Sequence, residues 1–147
     1  CAERLAALGG RLDFDGHDAF FHGHGWHSPE TRPDGERFQW IAGRHAELAL
    51  PALPPGGSLR FEANPLAYPD APPQSLELRL DGEVIGRLDP EPGWSEHTIA
   101  LPEDLEAAGL HLLTLDLGHA VRPRDVIKGS TDKRTLGLAV AALEVSP

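Results

Sequence analysis

The residues most suited to metal chemistry lie near the start of the chain. Four histidines fall within eleven residues: His17, His22, His24 and His27. In a strand, His22 and His24 would lie on the same side, where two imidazoles can share one zinc ion. Three aspartates that offer the oxygen ligands of calcium lie among them: Asp13, Asp15 and Asp18. These histidines and aspartates match neither the His-Glu-x-x-His nor the EF-hand spacing. Two interpretations therefore stay open: a zinc or calcium site, and loop histidines that are only solvated.

The candidate catalytic residues give a weaker signal than the candidate metal ligands. Glu30 and Asp132 are two carboxylates of the kind that glycoside hydrolysis needs, but an acidic chain offers many such pairs. Ser28 and Ser130 are candidate nucleophiles, yet neither lies in a Gly-x-Ser-x-Gly elbow. No glycine-rich phosphate loop of the Walker or dinucleotide type occurs. The sequence therefore predicts a binding or accessory domain rather than an enzyme.

Aromatic and planar polar side chains suggest a different chemistry, that of a carbohydrate surface. The apolar faces of pyranose rings stack on aromatic rings, while carboxylates, imidazoles and guanidinium groups hydrogen-bond the sugar hydroxyls. Phe38 and Trp40 share one face of a predicted strand, so we expect Trp40 in the core. Trp26 and Trp94 follow glycines in loops and are either sugar platforms or core residues. The candidate ligand-binding residues are Trp26, His27, Glu30, Tyr68, Trp94, Asp132 and Arg134.

Basic residues are concentrated late in this acidic chain. They are Arg122, Arg124, Lys128, Lys133 and Arg134. In one interpretation Asp132 and Arg134 brace a loop through a local ion pair and bonds to the backbone. In the other interpretation the segment contacts an anion or an acidic sugar.

The elements that position these side chains are predicted to be strands. Short runs alternate apolar with polar residues, the period of a strand with one face on a core. The runs are Ala46 to Leu50, Ser58 to Asn64, Ser75 to Leu80, His97 to Leu101, Leu110 to Leu117 and Leu136 to Val145. Pro/Gly-rich loops separate them, and Asp81-Gly82 predicts a two-residue hairpin.

Strands with turns at such short intervals predict an antiparallel two-sheet β-sandwich, jelly-roll-like, with one short connecting helix at 102–109. We expect residues 1–10 to form a lead-in or short helix, and residues 11–147 to form a single β-sandwich domain.

Composition limits the partners. The 147 residues include 23 Asp and Glu against 13 Lys and Arg, with no basic and aromatic face, which argues against nucleic acid and anionic membranes. No apolar run reaches the roughly 20 residues of a membrane span. Cys1 is the only cysteine, so no internal disulfide forms. Cys1 is read either as a lipid anchor or as the start of an excised domain, and the second interpretation is favoured.

Five segments in order carry a family resemblance: "GWHSPE", "FQWIAGRHAELALP", "LELRLDGEVIGRL", "GWSEHTIALP" and "RPRDV" with "STDKRTLGLAVAALEV". Over roughly residues 11 to 146 the chain resembles the β-sandwich accessory domain of bacterial membrane glycosyltransferases and cell-surface polysaccharide proteins. His27 departs from that pattern, where a small polar residue is commoner.

The resemblance implies a jelly-roll fold of the carbohydrate-binding-module type and no reaction. It implies a glycan or a parent glycosyltransferase as partner, and a place in the cell envelope that faces the periplasm or the outside, or the cytoplasm as an excised domain. Two alternatives stay open: an interaction module that touches no sugar, and a small metal-binding domain that uses the histidines from His17 to His27.

Overall fold

Two antiparallel sheets form the fold in the computed structural model, which describes residues 11–12, 25–51, 53–105 and 109–146. The first sheet holds β1 (Arg11–Leu12), β2 (Glu30–Thr31), β3 (Arg37–Trp40), β5 (Ser58–Pro65), β8 (Ser95–Ala100) and β10 (Leu138–Ser146). The second holds β4 (His45–Pro51), β6 (Leu76–Leu80), β7 (Glu83–Leu88) and β9 (Leu110–Leu117). The predicted two-sheet sandwich is confirmed, and each predicted run overlaps a strand, with ends that differ by at most two residues.

The strand order places several loops together. The first sheet runs β2-β3-β10-β5-β8, with β1 also paired to β10, and the second runs β4-β9-β6-β7. Along the described strands, the chain crosses between the two sheets six times, after β3, β4, β5, β7, β8 and β9. The antiparallel pairings place the crossings after β3, β5, β7 and β9 at one end of the sandwich. We call this the loop end. It comprises residues 25–29, 41–44, 66–75, 89–94 and 118–137.

The core lies between the sheets and follows from the period of two. On β5 the burial alternates, so that Leu59, Phe61 and Ala63 are buried and Arg60 is exposed. Leucines of the second sheet, such as Leu48, face them in one continuous cluster. Each fully buried leucine contributes about 1.5–3 kcal/mol relative to an exposed one. This core holds the loop end in place.

Strand β10 is the centre of the first sheet and carries a bulge. Its register against β5 shifts between Ala141 and Glu144, and Ala142 has a positive φ of 51°. Before the bulge β10 pairs with β3, and after it β10 pairs with β1. β10 therefore pairs with both β3 and β1 along the same edge.

The turns and helices agree in part with the sequence. Asp81 and Gly82 have φ of 51° and 91°, as the predicted hairpin requires. The described helix is a single turn, α1 (Pro123–Val126), which the sequence did not predict. At the predicted helix, 103–104 form a turn and 106–108 lie outside the described residues, as does the lead-in 1–10.

Candidate functional site

The topology brings the predicted ligand-binding residues to the loop end. Glu30 opens β2, directly after the first loop-end segment. The others lie within the loop-end segments: Trp26, His27, Tyr68, Trp94, Asp132 and Arg134. They do not form one site, however. They divide into a residue that packs against the core, an ion-pair cluster, an aromatic cluster on the outer face of the first sheet, and a cleft.

Trp26 is partly buried and lies against the core cluster. It forms an isolated bridge with Ile41 and packs against the core. Its indole Nε1 donates a 2.9 Å hydrogen bond to the carbonyl oxygen of Glu47, on β4 of the other sheet. Gly25 has a φ of 89°, and a Cβ there would lie 2.1 Å from the His45 oxygen, so the chain passes close to β4. Trp26 therefore joins the two sheets, which is the core alternative that the sequence left open.

The expectation that Trp40 lies in the core is wrong. Its strand neighbours Gln39 and Ile41 are buried, and the Gln39 side chain donates to the carbonyl oxygen of His27 at 2.8 Å. Because side chains alternate along a strand, Trp40 points to the outer face of the sheet. Phe38 lies on the same face, with ring centroids 6.3 Å apart. The shared face was predicted correctly, but it is the outer one.

Trp94 completes this outer-face aromatic cluster. Its ring centroid lies 5.3 Å from that of Phe38, although β10 and β5 separate their strands. The Arg32 guanidinium carbon lies 4.6 Å above the Trp94 ring, a cation–π contact. Arg32 also bonds Asp34 at 2.7 Å, and this hydrogen bond lowers the pKa of that carboxyl. Sequence reasoning missed Arg32, because no local pattern places a hairpin arginine over a distant indole.

Glu30, Asp132 and Arg134 form the ion-pair cluster. Arg134 donates to Glu30 Oε2 at 2.9 Å and to Asp132 Oδ2 at 2.8 Å, which ties β2 to the loop before β10. Bonds from Arg134 lower the pKa of Asp132, and Asp132 in turn raises the pKa of Arg134. His27 lies beside the cluster, with Nε2 3.5 Å from the Thr135 oxygen. This geometry is the loop brace of the first interpretation.

Tyr68 lines a cleft of about 610 Å³ between two loop-end segments, residues 66–74 and 89–92. Four prolines give it stiff apolar walls: Pro72, Pro73, Pro90 and Pro92. Three carboxylates also line it: Asp70, Asp89 and Glu91. Gln74 is buried beneath and donates to the carbonyl oxygens of His119 and Gly137, which fixes the first loop to the one before β10. The sequence predicted Tyr68 as a ligand-binding residue. It did not predict the three carboxylates, because their segments were interpreted only as connecting loops.

Most of the predicted metal ligands lie in the segment between β1 and residue 25. His17, His22, His24 and the three aspartates lie outside the described residues. Within the described ranges, no group of three or more His, Cys, Asp or Glu could hold a metal ion. Calcium and zinc therefore stay predictions of the sequence.

The chain matches no protein family model and no curated protein. Solved structures do match its fold. It is similar to the C-terminal CBM6 of LamC, a laminarinase of Zobellia galactanivorans (TM-score 0.54, 10% identity, 93% of this chain and 98% of that one). A family 6 carbohydrate-binding module of Clostridium cellulolyticum, solved with xylose, gives a TM-score of 0.53 at 14% identity, with 93% and 96% of the chains covered.

Part of an enzyme chain has the same fold. The acetyl xylan esterase Est2A of Butyrivibrio proteoclasticus matches over 92% of this chain but 32% of its own, with a TM-score of 0.54 and 14% identity. At these identities the likeness establishes the fold alone, a β-sandwich that the chain shares with these family 6 carbohydrate-binding modules. Among the described residues no helix has the length and apolar character needed to cross a membrane.

Proposed function

We propose that this chain is a non-catalytic carbohydrate-binding module and that the Tyr68 cleft is its sugar site. The observation that carries the proposal is the composition of the cleft, which sets one aromatic ring among stiff proline walls and three carboxylates. A space of about 610 Å³ lies within the range of small-molecule sites, roughly 300–1,000 Å³.

The cleft suits a neutral sugar. Stacking one pyranose face on Tyr68 would contribute on the order of 1–2 kcal/mol through apolar burial. Asp70, Asp89 and Glu91 are acceptors when ionised and can take hydrogen bonds from sugar hydroxyls. The same charges would repel an acidic sugar. We expect modest affinity, in the roughly micromolar to millimolar range typical of one stacked ring with a few hydrogen bonds.

We also propose that the module serves a bacterial glycosyltransferase or another cell-surface polysaccharide protein, within the cell envelope. The support is the sequence resemblance together with the ion-pair cluster. Glu30, Asp132 and Arg134 belong to the quoted segments, and their bonds fix the loop end against β2. In this view the residues that carry the family resemblance hold the loops in place, and the loops that form the cleft determine which sugar binds.

The test is a titration of neutral oligosaccharides against the wild type and Tyr68→Ala. We expect Tyr68→Ala to lower the affinity for the bound sugar at least about tenfold, which corresponds to about 1.4 kcal/mol. The melting temperature should change little, because the ring lines an open cleft.

Leu110→Ala is the matched control, since this side chain is 67% exposed at the start of β9 and does not line the cleft. If no neutral glycan binds the wild type, or if both variants weaken binding equally, the proposed site is wrong. The first of these results would favour the interaction module instead.

A further inference from the structure

The loop before β10 contains a further cavity, of opposite charge to the Tyr68 cleft. It measures about 320 Å³ and is lined by Arg124, Ser130, Thr131 and Lys133, which we call the basic pocket. Residues 122–134 hold five basic and two acidic residues in a chain of net charge −10. The guanidinium, the ammonium and the two hydroxyls are all donors, and none of the described residues that line the pocket carries a carboxylate.

These donors are largely uncommitted. Asp132 is the carboxylate next to Lys133 in the sequence, and it already accepts a hydrogen bond from the Arg134 guanidinium at 2.8 Å. Lys133 makes no ion pair with the described residues. Arg124 has one loose ion pair, 3.8 Å from Nε to Asp125 Oδ1. The pocket therefore keeps positive charge that the loop itself does not neutralise.

Backbone bonds hold the pocket in shape. The Arg124 N–H donates to the Asp132 oxygen at 3.0 Å, and the Ser130 N–H donates to the Ile127 oxygen at 3.1 Å. The Ser130 hydroxyl accepts from the Asp132 N–H at 3.2 Å, so its own proton can be donated outward. A site held in this way loses little freedom on binding.

We infer that the basic pocket binds the carboxylate of an acidic sugar, such as a uronic acid. A charge-assisted pair from Arg124 with a second donor from Lys133 matches the oxygens of one carboxylate. A densely charged polyanion is disfavoured, because a protein of net charge −10 repels it at long range. This inference deepens the proposed function, since it adds an acidic-sugar site to a module whose cleft suits neutral sugars.

The test compares glucuronate with its methyl ester, which has the same ring without the charge. Glucuronate should shift the backbone amide NMR signals of Ser130 and Thr131, and the methyl ester should not. Lys133→Gln and Arg124→Gln should each weaken glucuronate binding about tenfold, the worth of one charge-assisted hydrogen bond.

Lys128→Gln is the matched control, because it removes the same charge from the same loop but does not line the pocket. Equal weakening by Lys128→Gln would mean general attraction and would overturn the inference. Binding of the methyl ester as tight as that of glucuronate would overturn it too. So would sodium sulfate saturating the pocket at lower concentration than glucuronate, which would mark a site for free anions. Tyr68→Ala should leave the glucuronate shifts in place, so failure of the cleft and failure of the pocket are distinguishable.

Discussion

The Trp26 indole joins the two sheets at the loop end through its hydrogen bond to Glu47 and its packing against the core. We expect Trp26→Ala to destabilise the protein by about 3–5 kcal/mol, because it opens a cavity and leaves the Glu47 carbonyl without its indole donor. Trp26→Phe retains most of the packing and should cost less. Urea unfolding followed by tyrosine and tryptophan fluorescence measures both values.

Trp40→Ala is the comparison at the same scale. Its ring lies on the outer face in edge contact with Phe38, and it does not belong to the core cluster. We expect a loss of about 1–2 kcal/mol, since a half-buried ring leaves a groove that water can fill. A Trp40→Ala protein less stable than Trp26→Ala would contradict the assignment of the two tryptophans.

The sequence predicted which residues reach the loop end but not how they divide there. Alternation shows that Phe38 and Trp40 share a face, yet it is silent on which face is inside, since a shift by one residue exchanges the two. The face of β3 that turns toward the core is the one that carries Gln39. The amide of Gln39 is bonded to His27, and Val140 of β10 lies opposite it. Those contacts are tertiary and leave no local pattern.

At the scale of elements, the β6–β7 hairpin contains a titratable contact. Asp81 Oδ2 lies 2.5 Å from Nδ1 of His111 on β9, and Asp81 Oδ1 accepts from the Leu112 N–H at 2.9 Å. Burial acts to raise the pKa of Asp81, but the bonds to His111 and Leu112 outweigh it, and the pKa lies below its usual value. The hairpin is therefore stabilised by an ionised carboxylate.

The stability from Asp81 is present above the pKa of an unfolded aspartate, about 3.9, and is lost as the pH falls through the lower folded value. Asp81→Asn keeps the positive φ accessible and removes only the charge. We expect its melting temperature to be lower than that of the wild type at pH 7, with the gap closing as the pH falls below about 4. Asp104→Asn, which removes one carboxylate at another turn, is the matched control.

Elements with strong local signals were predictable, and short ones were not. Asp81-Gly82 specified its hairpin because two positive φ values in succession favour these residues. Strand β2 has two residues and α1 four, too few for any period to be read. α1 exists because Pro123 fixes the first turn and the Ile127 N–H bonds back to the Pro123 oxygen.

At the scale of the whole molecule, the short strands separated by turns predicted a sandwich but did not predict the order of its strands. The central position of β10 depends on pairing with β5, β3 and β1, which come from widely separated parts of the chain. We expect a chain ending at Gly137 to lose cooperative unfolding and its β-type circular dichroism, because β3 and β5 would expose unpaired edges. Removal of Pro147 alone should leave both unchanged. A shortened chain that still melts in one sharp transition would contradict this.

The place of β10 also bears on how the protein folds as it is synthesised. Domains tend to fold from the amino terminus while translation proceeds, but here the strand that joins three others is synthesised after all three of them. Until it leaves the ribosome, β5 has only β8 beside it, and the apolar faces of the second sheet have no complete partner layer. We therefore expect the leucines of the second sheet to stay exposed to solvent until β10 has been synthesised, and we expect the chain to depend on chaperones mainly at this stage.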